Sequence, residues 1–335
     1  MENNTNELSR RTRKENKKTS KKRRGCLWTI GILFVILLGI GVFVYSQLRS
    51  TTDTIHSDIT EDAIRHESRQ DKEVDLKGDS PFSILLLGID TGDMGRVDRG
   101  RSDTMMVATM NPSTNKTTIV SIPRDTYTEI VGRGTTDKIN HAYAFGGPAM
   151  AVNSVQNLLD IPIDYFVSVN MRGIQQIVDA IGGVQVTPTR SFNQSGYQFV
   201  AGQPTQMDGQ MALAYSRMRS LDGDYARQGR QREVVVAIVD KIASFDSILN
   251  YQSILETTEN NVLTNMQFND MLDAFINYRG AAGNIEQIQM SGSGTMMGGV
   301  YYEIIPEGEI SSISQQLKSE LEIGDQTNVE TEELN

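Results

Sequence analysis

Cysteine is almost absent. The 335-residue chain has one, Cys26, so no internal disulfide holds its fold. Histidine is scarce, with three residues in all. His56 and His66 fall in a polar segment and His141 stands alone in the later part, which argues against a His-ligated zinc site or a Ser-His-Asp triad. No Walker A sequence and no GxGxxG occurs, so nucleotide binding finds no support. Residues 25–48 contain no Lys, Arg, Asp or Glu. No internal repeat is present.

What charge there is, is segregated. The formal net charge is −10. Residues 1–24 carry ten basic and three acidic side chains, and residues 49–335 carry 22 basic and 39 acidic ones. An acidic main part is a poor nucleic-acid binder, and direct nucleic-acid contact is not expected. The uncharged stretch Gly25 to Leu48 includes LWTIGILFVILLGIGVFVY. About 20 apolar residues span a bilayer core of roughly 30 Å as a helix. The basic block before it sets the expected topology, with residues 1–24 cytoplasmic and the rest outside the cell membrane. A cleaved signal peptide is the competing assignment. The apolar run is long for one, and no small-x-small site follows it. Cys26 lies at the inner edge and is either a palmitoylation site or an inert boundary thiol.

The pattern of apolar runs then divides the chain. Residues 49–80 are polar and mixed in charge and are expected to form a stalk or linker. The folded domain is expected over 81–318, with an acidic disordered tail over 319–335. FSILLLGID, Phe82 to Asp90, is a continuous apolar run of strand length, as a strand covered on both faces would be. Thr104–Met110 and Thr117–Ile122 are expected strands joined by the turn NPSTNK. Helices are expected at Gly147–Leu159, Arg172–Ile181, Met207–Ala214 and Tyr225–Ser244, with strands at Tyr165–Val169 and Gly183–Thr187. Ser247–Asn277 keeps a helical pattern. Ile285–Met290 and Val300–Ile305 are expected as late strands of the same sheet, around a Gly/Ser/Met-rich loop. The fold class is therefore α/β, with mixed α+β layers: a central mixed β-sheet flanked by helices, as one large domain.

That domain has a chemical bias. Residues 81–245 contain twelve Arg against three Lys and thirteen Asp against two Glu. Arg matches phosphate oxygens with a planar fork of donors, and Asp suits tight loops and hard cations such as Mg²⁺. Lineage bias and turn-forming Asp are the plain alternative. Asp90 ends the first strand and Asp103 opens the second, which brings two carboxylates to one end of the sheet. Arg124, in SIPRD, follows the third strand. The segment AYSRMRSLDGDYARQGRQR, 214–232, is the densest constellation. Arg217 and Arg219 share a face if the segment is extended. Asp224 is placed as an N-cap before Tyr225. Arg227, Arg230 and Gln231 fall on one helix face. An anion site and salt bridges to Asp222, Asp224 and Glu233 both fit that spacing. Ile174, Ile177, Val235 and Val239 suit either the lining of an apolar space or ordinary core.

LLLGID at 85–90, GRSDT at 100–104, SIPRD at 121–125, DKINHAYAFGG at 137–147, DAIGGV at 179–184, and YSRMR with DYARQGRQ at 215–231 together resemble the LytR-CpsA-Psr family, over roughly residues 81–245. Each motif is weak alone and their joint order is specific. The resemblance implies a membrane-anchored phosphotransferase of bacteria with thick walls. Such an enzyme moves an anionic glycopolymer, of wall teichoic acid or capsule type, from a polyprenyl-pyrophosphate carrier to a peptidoglycan hydroxyl, with Mg²⁺ as cofactor. By motif, it implies Asp90 and Asp103 as metal carboxylates, and Asp90, Asp103, Arg124 and Arg227 as catalytic. Pyrophosphate contacts fall to Arg101, Arg124, Arg217, Arg219, Arg227, Arg230 and Gln231, and further substrate contacts to Lys138, Asn140 and Tyr143. The loop charges Asp93, Arg96, Asp98 and Arg99 receive no role. The alternatives are an indirect regulator of envelope gene expression, a polyprenyl-pyrophosphate hydrolase, and a glycan-binding scaffold. The charge layout predicts one basic pocket on an otherwise acidic domain.

Overall fold

The computed structural model describes residues 56–59, 63–69, 74–78, 80–91, 100–243 and 261–323. The apolar run 25–48, the basic tail and the loop charges Asp93, Arg96, Asp98 and Arg99 lie outside the described residues.

Strand β1 (Phe82–Ile89) pairs antiparallel with β2 (Ser102–Asn111), which pairs antiparallel with β3 (Lys116–Ser121). Strand β4 (Tyr165–Asn170) runs parallel to β1 on its other side. Two later strands, β5 (Val262–Thr264) and β6 (Ile285–Gln289), complete a six-stranded mixed sheet in the order β5-β4-β1-β2-β3-β6. The continuous apolar run of β1 follows from its central place. Successive side chains point to opposite faces. Leu85, Leu87 and Ile89 enter one core, with Val152, Val155 and Leu159 of helix α1 (His141–Leu159). Ile84 and Leu86 pack on the other face, with Met266 and Tyr278.

Helix α1 starts six residues before the expected Gly147. Gly147 takes φ 70°, ψ −157° and breaks the helix, and Pro148 follows where a proline is tolerated, at the first turn of the second segment. The FGGP sequence is thus a kink inside one element. The short first segment brings Asn140 and His141 to the end of the sheet where Asp103 lies.

The opposite face of the sheet carries helices α2 (Met171–Ala180), α3 (Gly209–Arg217) and α4 (Gly223–Ala243). They build a second core around Val178, Phe199, Met207 and Tyr215. Asn170 caps α2 by accepting from Gly173 N at 2.8 Å, and Asp208 caps α3 through Met211 N at 2.8 Å. Met207 belongs to the strand before α3, Thr205–Met207, which corrects the expected start of that helix.

Four further expectations are corrected. Ser247–Asn277 is not helical throughout, because Val262–Thr264 is an edge strand and helix α5 occupies only Phe268–Asn277. Ile285–Gln289 joins the main sheet as expected, but Val300–Ile304 does not. It forms a separate hairpin with Ser293–Met297, inside the segment expected as a Gly/Ser/Met-rich loop. The acidic tail starts later than 319. A helix covers Glu307–Glu320, and Leu321 is buried in the main core. The described parts of 49–80 are also docked on the domain rather than standing as a stalk. Ile59 joins the main core, and Arg69 pairs with the buried Asp164 at 2.8 Å.

Helices α2 and α3 touch at Gly209, whose N–H donates to Asp179 Oδ1 at 2.7 Å. A Cβ there would sit 2.3 Å from the backbone oxygen of Gln175. Gly209→Ala is therefore expected to destabilise the domain by about 1–3 kcal/mol. Urea unfolding measures this, and unchanged stability would contradict the close approach.

Candidate active site

The pairing of β1 with β2 slips near its end. Gly88 faces Thr104 and Ile89 faces Ser102, so Asp103 is the extra residue of a β-bulge. Bulges re-aim side chains, and this one turns Asp103 toward the strand end. The β2–β3 register carries Arg124 to the same level. Its Nη1 donates to Asp103 Oδ2 at 2.8 Å, and Asn140 Nδ2 donates to Asp103 Oδ1 at 3.2 Å. Asp90 stands one residue past β1 at the same sheet end, its N–H bonded to Arg101 O at 3.0 Å. Gly100 closes that turn at φ +67°, where a Cβ would meet Thr91 at 2.3 Å.

Helix α4 supplies the facing wall. Asp224 lies in its first turn rather than as its N-cap. It is the hub of the cluster, 2.7 Å from Arg227 Nη2, 3.7 Å from Arg219 Nε and 3.9 Å from Arg124 Nη2. Three guanidiniums thus converge on two carboxylates. Burial pulls the Arg227 pKa down, Asp224 opposes that, and Arg124 and Arg219 add to it. Arg227 still stays cationic. Several buried polar atoms here have no hydrogen bond: Arg124 Nε, Arg227 Nε and Nη2, Asn140 Oδ1 and Asp224 Oδ1. Buried polar groups are ordinarily paired. Arg227 Nη2 and Asp224 Oδ1 touch at 2.7 Å without hydrogen-bond alignment, and Arg124 Nε lies 3.6 Å from Asp125 Oδ2, so the buried Arg227 Nε is the cationic donor left open to an anionic ligand.

Beside this centre lies a cavity of about 380 Å³ between the sheet and α2 and α4. Thr104, next to Asp103, lines it, together with Arg217 and Gln231. The rest of the lining is mainly aliphatic and includes Ile174, Ile177, Val235 and Val239. The choice left open by the sequence falls to the cavity for all four. Gln231 Oε1 is buried and has no hydrogen bond.

The predicted residues separate into groups. Asp103, Arg124, Asn140, Arg219 and Arg227 converge at the centre. Asp90 and the exposed Arg101 stand at the same sheet end, and Arg217 and Gln231 line the cavity. Two predicted residues lie apart from the centre. Arg230 turns away from the centre. It is 3% exposed, grips Asp222 through both oxygens at 2.9 and 2.8 Å, and donates to Met218 O at 2.6 Å. Tyr143 is in the core, its hydroxyl 2.9 Å from Ser168 Oγ. Lys138 Nζ is held by Asp125 Oδ1 at 2.7 Å, one residue from Arg124. Glu233, the third acidic partner considered for the arginines, instead accepts from the Tyr215 hydroxyl, and burial raises its pKa. Sequence reasoning missed Tyr225 and Glu303. The Tyr225 hydroxyl donates to Glu303 Oε1 at 2.6 Å across 78 positions of chain, and no local signal marks such a pair.

Among the described residues no three His, Cys, Asp or Glu side chains converge on one point. Two carboxylates at one sheet end and the orphaned Asn140 Oδ1 form an oxygen-only set. That fits Mg²⁺, which is held by one or two carboxylates and completes its shell with water and substrate phosphate.

The model of the LytR_cpsA_psr family matches residues 42–319. The chain belongs to the LytR_cpsA_psr family. A polyisoprenyl-teichoic acid–peptidoglycan teichoic acid transferase TagU of Enterococcus faecalis (strain ATCC 700802 / V583) is 44% identical over 292 residues, covering 87% of this chain and 94% of that protein. The crystal structure of Bacillus subtilis TagU aligns with TM-score 0.60 at 43% identity, over 72% of this chain and 97% of that one. A structure of TagT bound to LIIa-WTA aligns with TM-score 0.65 at 31% identity, over 77% and 97%.

The Asp222–Arg230 pair sets an acid limit. Arg230's hydrogen bonds hold the Asp222 carboxyl below its ordinary value of 3.8, against the opposing effect of burial. A lowered folded-state pKa gives stability that is present above the ordinary value and lost as pH falls through the folded one. Asp222→Ala, which strands a buried Arg230, is expected to cost about 3–5 kcal/mol at neutral pH. Its stability should also fall less than that of the parent on acidification below 3.8. Denaturation across that range tests both the size and the sign.

Proposed function

We propose that this chain transfers an anionic glycopolymer of teichoic acid type from a polyprenyl-pyrophosphate carrier to a peptidoglycan hydroxyl. The reaction forms a phosphodiester and releases polyprenyl phosphate. The observation that carries this reading is the convergence of the Arg124 and Arg227 guanidiniums, with the buried Arg227 Nε left without a hydrogen bond, beside a largely aliphatic cavity. A ligand that is anionic at one end and long and apolar at the other satisfies both. The names of the similar transferases supply the polymer and the acceptor.

The chemistry follows from charge. A pyrophosphate repels an oxygen nucleophile, and charge moves onto the phosphoryl and leaving oxygens as the bond breaks. Arg124, Arg219 and Arg227 are held in place before that charge develops, so their reorganisation cost is small. Asp103 and Asp224 keep the three cations together. Asp90, Asp103 and Asn140 are the groups that would hold Mg²⁺. When bound, the ion would supply further neutralisation of the phosphate oxygens. The aliphatic lining takes the prenyl chain, and Arg217 and Gln231 meet its phosphate at the mouth. The uncharged run 25–48 supports a single-pass membrane anchor with the catalytic domain outside, where carrier and wall both lie.

Hydrolysis is the rival outcome, since the same arginines would activate a water. Full-length protein in detergent is incubated with lipid-pyrophosphate-linked glycan, Mg²⁺ and peptidoglycan oligomers, and products are read by mass spectrometry. A phosphodiester adduct is expected. Free glycan phosphate without adduct would show hydrolysis. Asp103→Ala and Arg227→Ala should each lose transfer by roughly 10²–10³-fold while keeping the parent circular dichroism spectrum. Full activity in either variant sinks the site assignment.

A further inference from the structure

Helix α4 runs past the site like a ruler. At its C-terminal end Ile242, Ile238 and Val234 line the cavity, and Gln231, one turn from Arg227, is the polar residue of that lining on this helix. Arg227 follows at the arginine centre. Tyr225 comes last, bonded to Glu303 on the strand Val300–Ile304. At about 1.5 Å per residue, Gln231 and Tyr225 are roughly 9 Å apart along the axis, with the anion site between them. In displacement at phosphorus the attacking and leaving oxygens lie roughly in line. With the lipid-linked leaving group at the cavity mouth, the attacking hydroxyl has to enter from the Tyr225 end.

A fixed aromatic ring stands there. The Tyr301 hydroxyl donates to Glu303 Oε2 at 2.6 Å, so the buried Glu303 carboxylate ties Tyr301 and Tyr225 together. The Tyr301 ring lies on Gly294, where a Cβ would come within 2.5 Å of its hydroxyl and 2.6 Å of Cε2. Even so, the residue is 44% exposed. One part of the ring is thus covered by backbone, and the remainder is open to solvent. The hydrogen bond to Glu303, ahead of burial, pushes the Tyr301 pKa up to about 12, which keeps the hydroxyl a donor at neutral pH. A tethered ring face with Asp125 and Asp224 near it suits a pyranose. The sugar's C–H face packs on the apolar ring and its hydroxyls donate to the acids.

We propose that Tyr301, held by Glu303 and laid on Gly294, is the platform on which the acceptor sugar of the glycan strand stacks as its hydroxyl attacks. This rests on the transferase reading above. The other pyranose near the phosphorus is the donor's own first sugar, and the in-line geometry favours the acceptor.

The test uses full-length protein and the adduct assay. Tyr301→Ala should raise the acceptor KM roughly tenfold, about 1.4 kcal/mol, with the donor KM unchanged. Tyr301→Phe keeps the ring, loses the tether, and should fall between. Tyr301→Leu, which retains the cross-strand packing, replaces the Ala variant if that one fails to fold. Independently, a peptidoglycan tetrasaccharide titrated by NMR without donor should bind the parent and bind Tyr301→Ala more weakly. An unchanged acceptor KM, or a rise in the donor KM instead, overturns the platform. Absence of adduct from the parent protein defeats the transferase reading instead, and the titration still decides whether Tyr301 holds a sugar.

Discussion

Like charges repel, and the central constraint on this molecule is to keep three guanidiniums together before any substrate arrives. Arg124, Arg219 and Arg227 come from two distant segments, and each would be separated by water in an unfolded chain. Asp224 lies within ion-pairing distance of all three, and Asp103 accepts from Arg124. The carboxylates engage only part of each guanidinium, and the buried Arg227 Nε remains without a hydrogen bond. The bulge that aims Asp103, the kink that brings Asn140 to it, and the helix that carries Arg227 all serve this cluster.

The two faces of the sheet divide the remaining work. The face under helix α1 is filled with interlocking aliphatic side chains and supplies rigidity. The other face, under helices α2 and α4, leaves a cavity that reaches the charged centre at Thr104, Arg217 and Gln231. A filled core next to a partly empty one lets a polar reaction centre sit at the mouth of an apolar space. The arginine cluster and the aliphatic cavity thereby lie side by side.

Much of the fold was legible because the determining signals are local. The unbroken apolar run of β1, the NPSTNK turn and the Gly-Gly after Ile181 each mark an element boundary through the conformations their residues allow. The Arg and Asp bias pointed to the kinds of side chain that meet in the cluster, where arginines and aspartates are interleaved. Long-range partners were not legible. Val300–Ile304 has the pattern of a sheet strand, but its pairing with Ser293–Met297 depended on which edge was within reach. Arg227 and Arg230 are equivalent by helical spacing. They part company because Asp222 and Met218 O stand close to one and not to the other. Tyr143 sits inside a motif with Asn140, yet faces Ser168 in the core.

The sequence by itself determined the residue chemistry, the order of the elements, the charge layout and the candidate set for the site. These follow from side-chain type and from spacing over a few residues, which covalent geometry fixes. Tertiary structure alone decided which arginines converge, which carboxylate became their hub, and that the aliphatic face of helix α4 borders a cavity rather than solid core. It also decided that Tyr225 and Tyr301 share Glu303. Such contacts join positions tens of residues apart, and they exist only once the packing of the sheet and helices has fixed the distances between them.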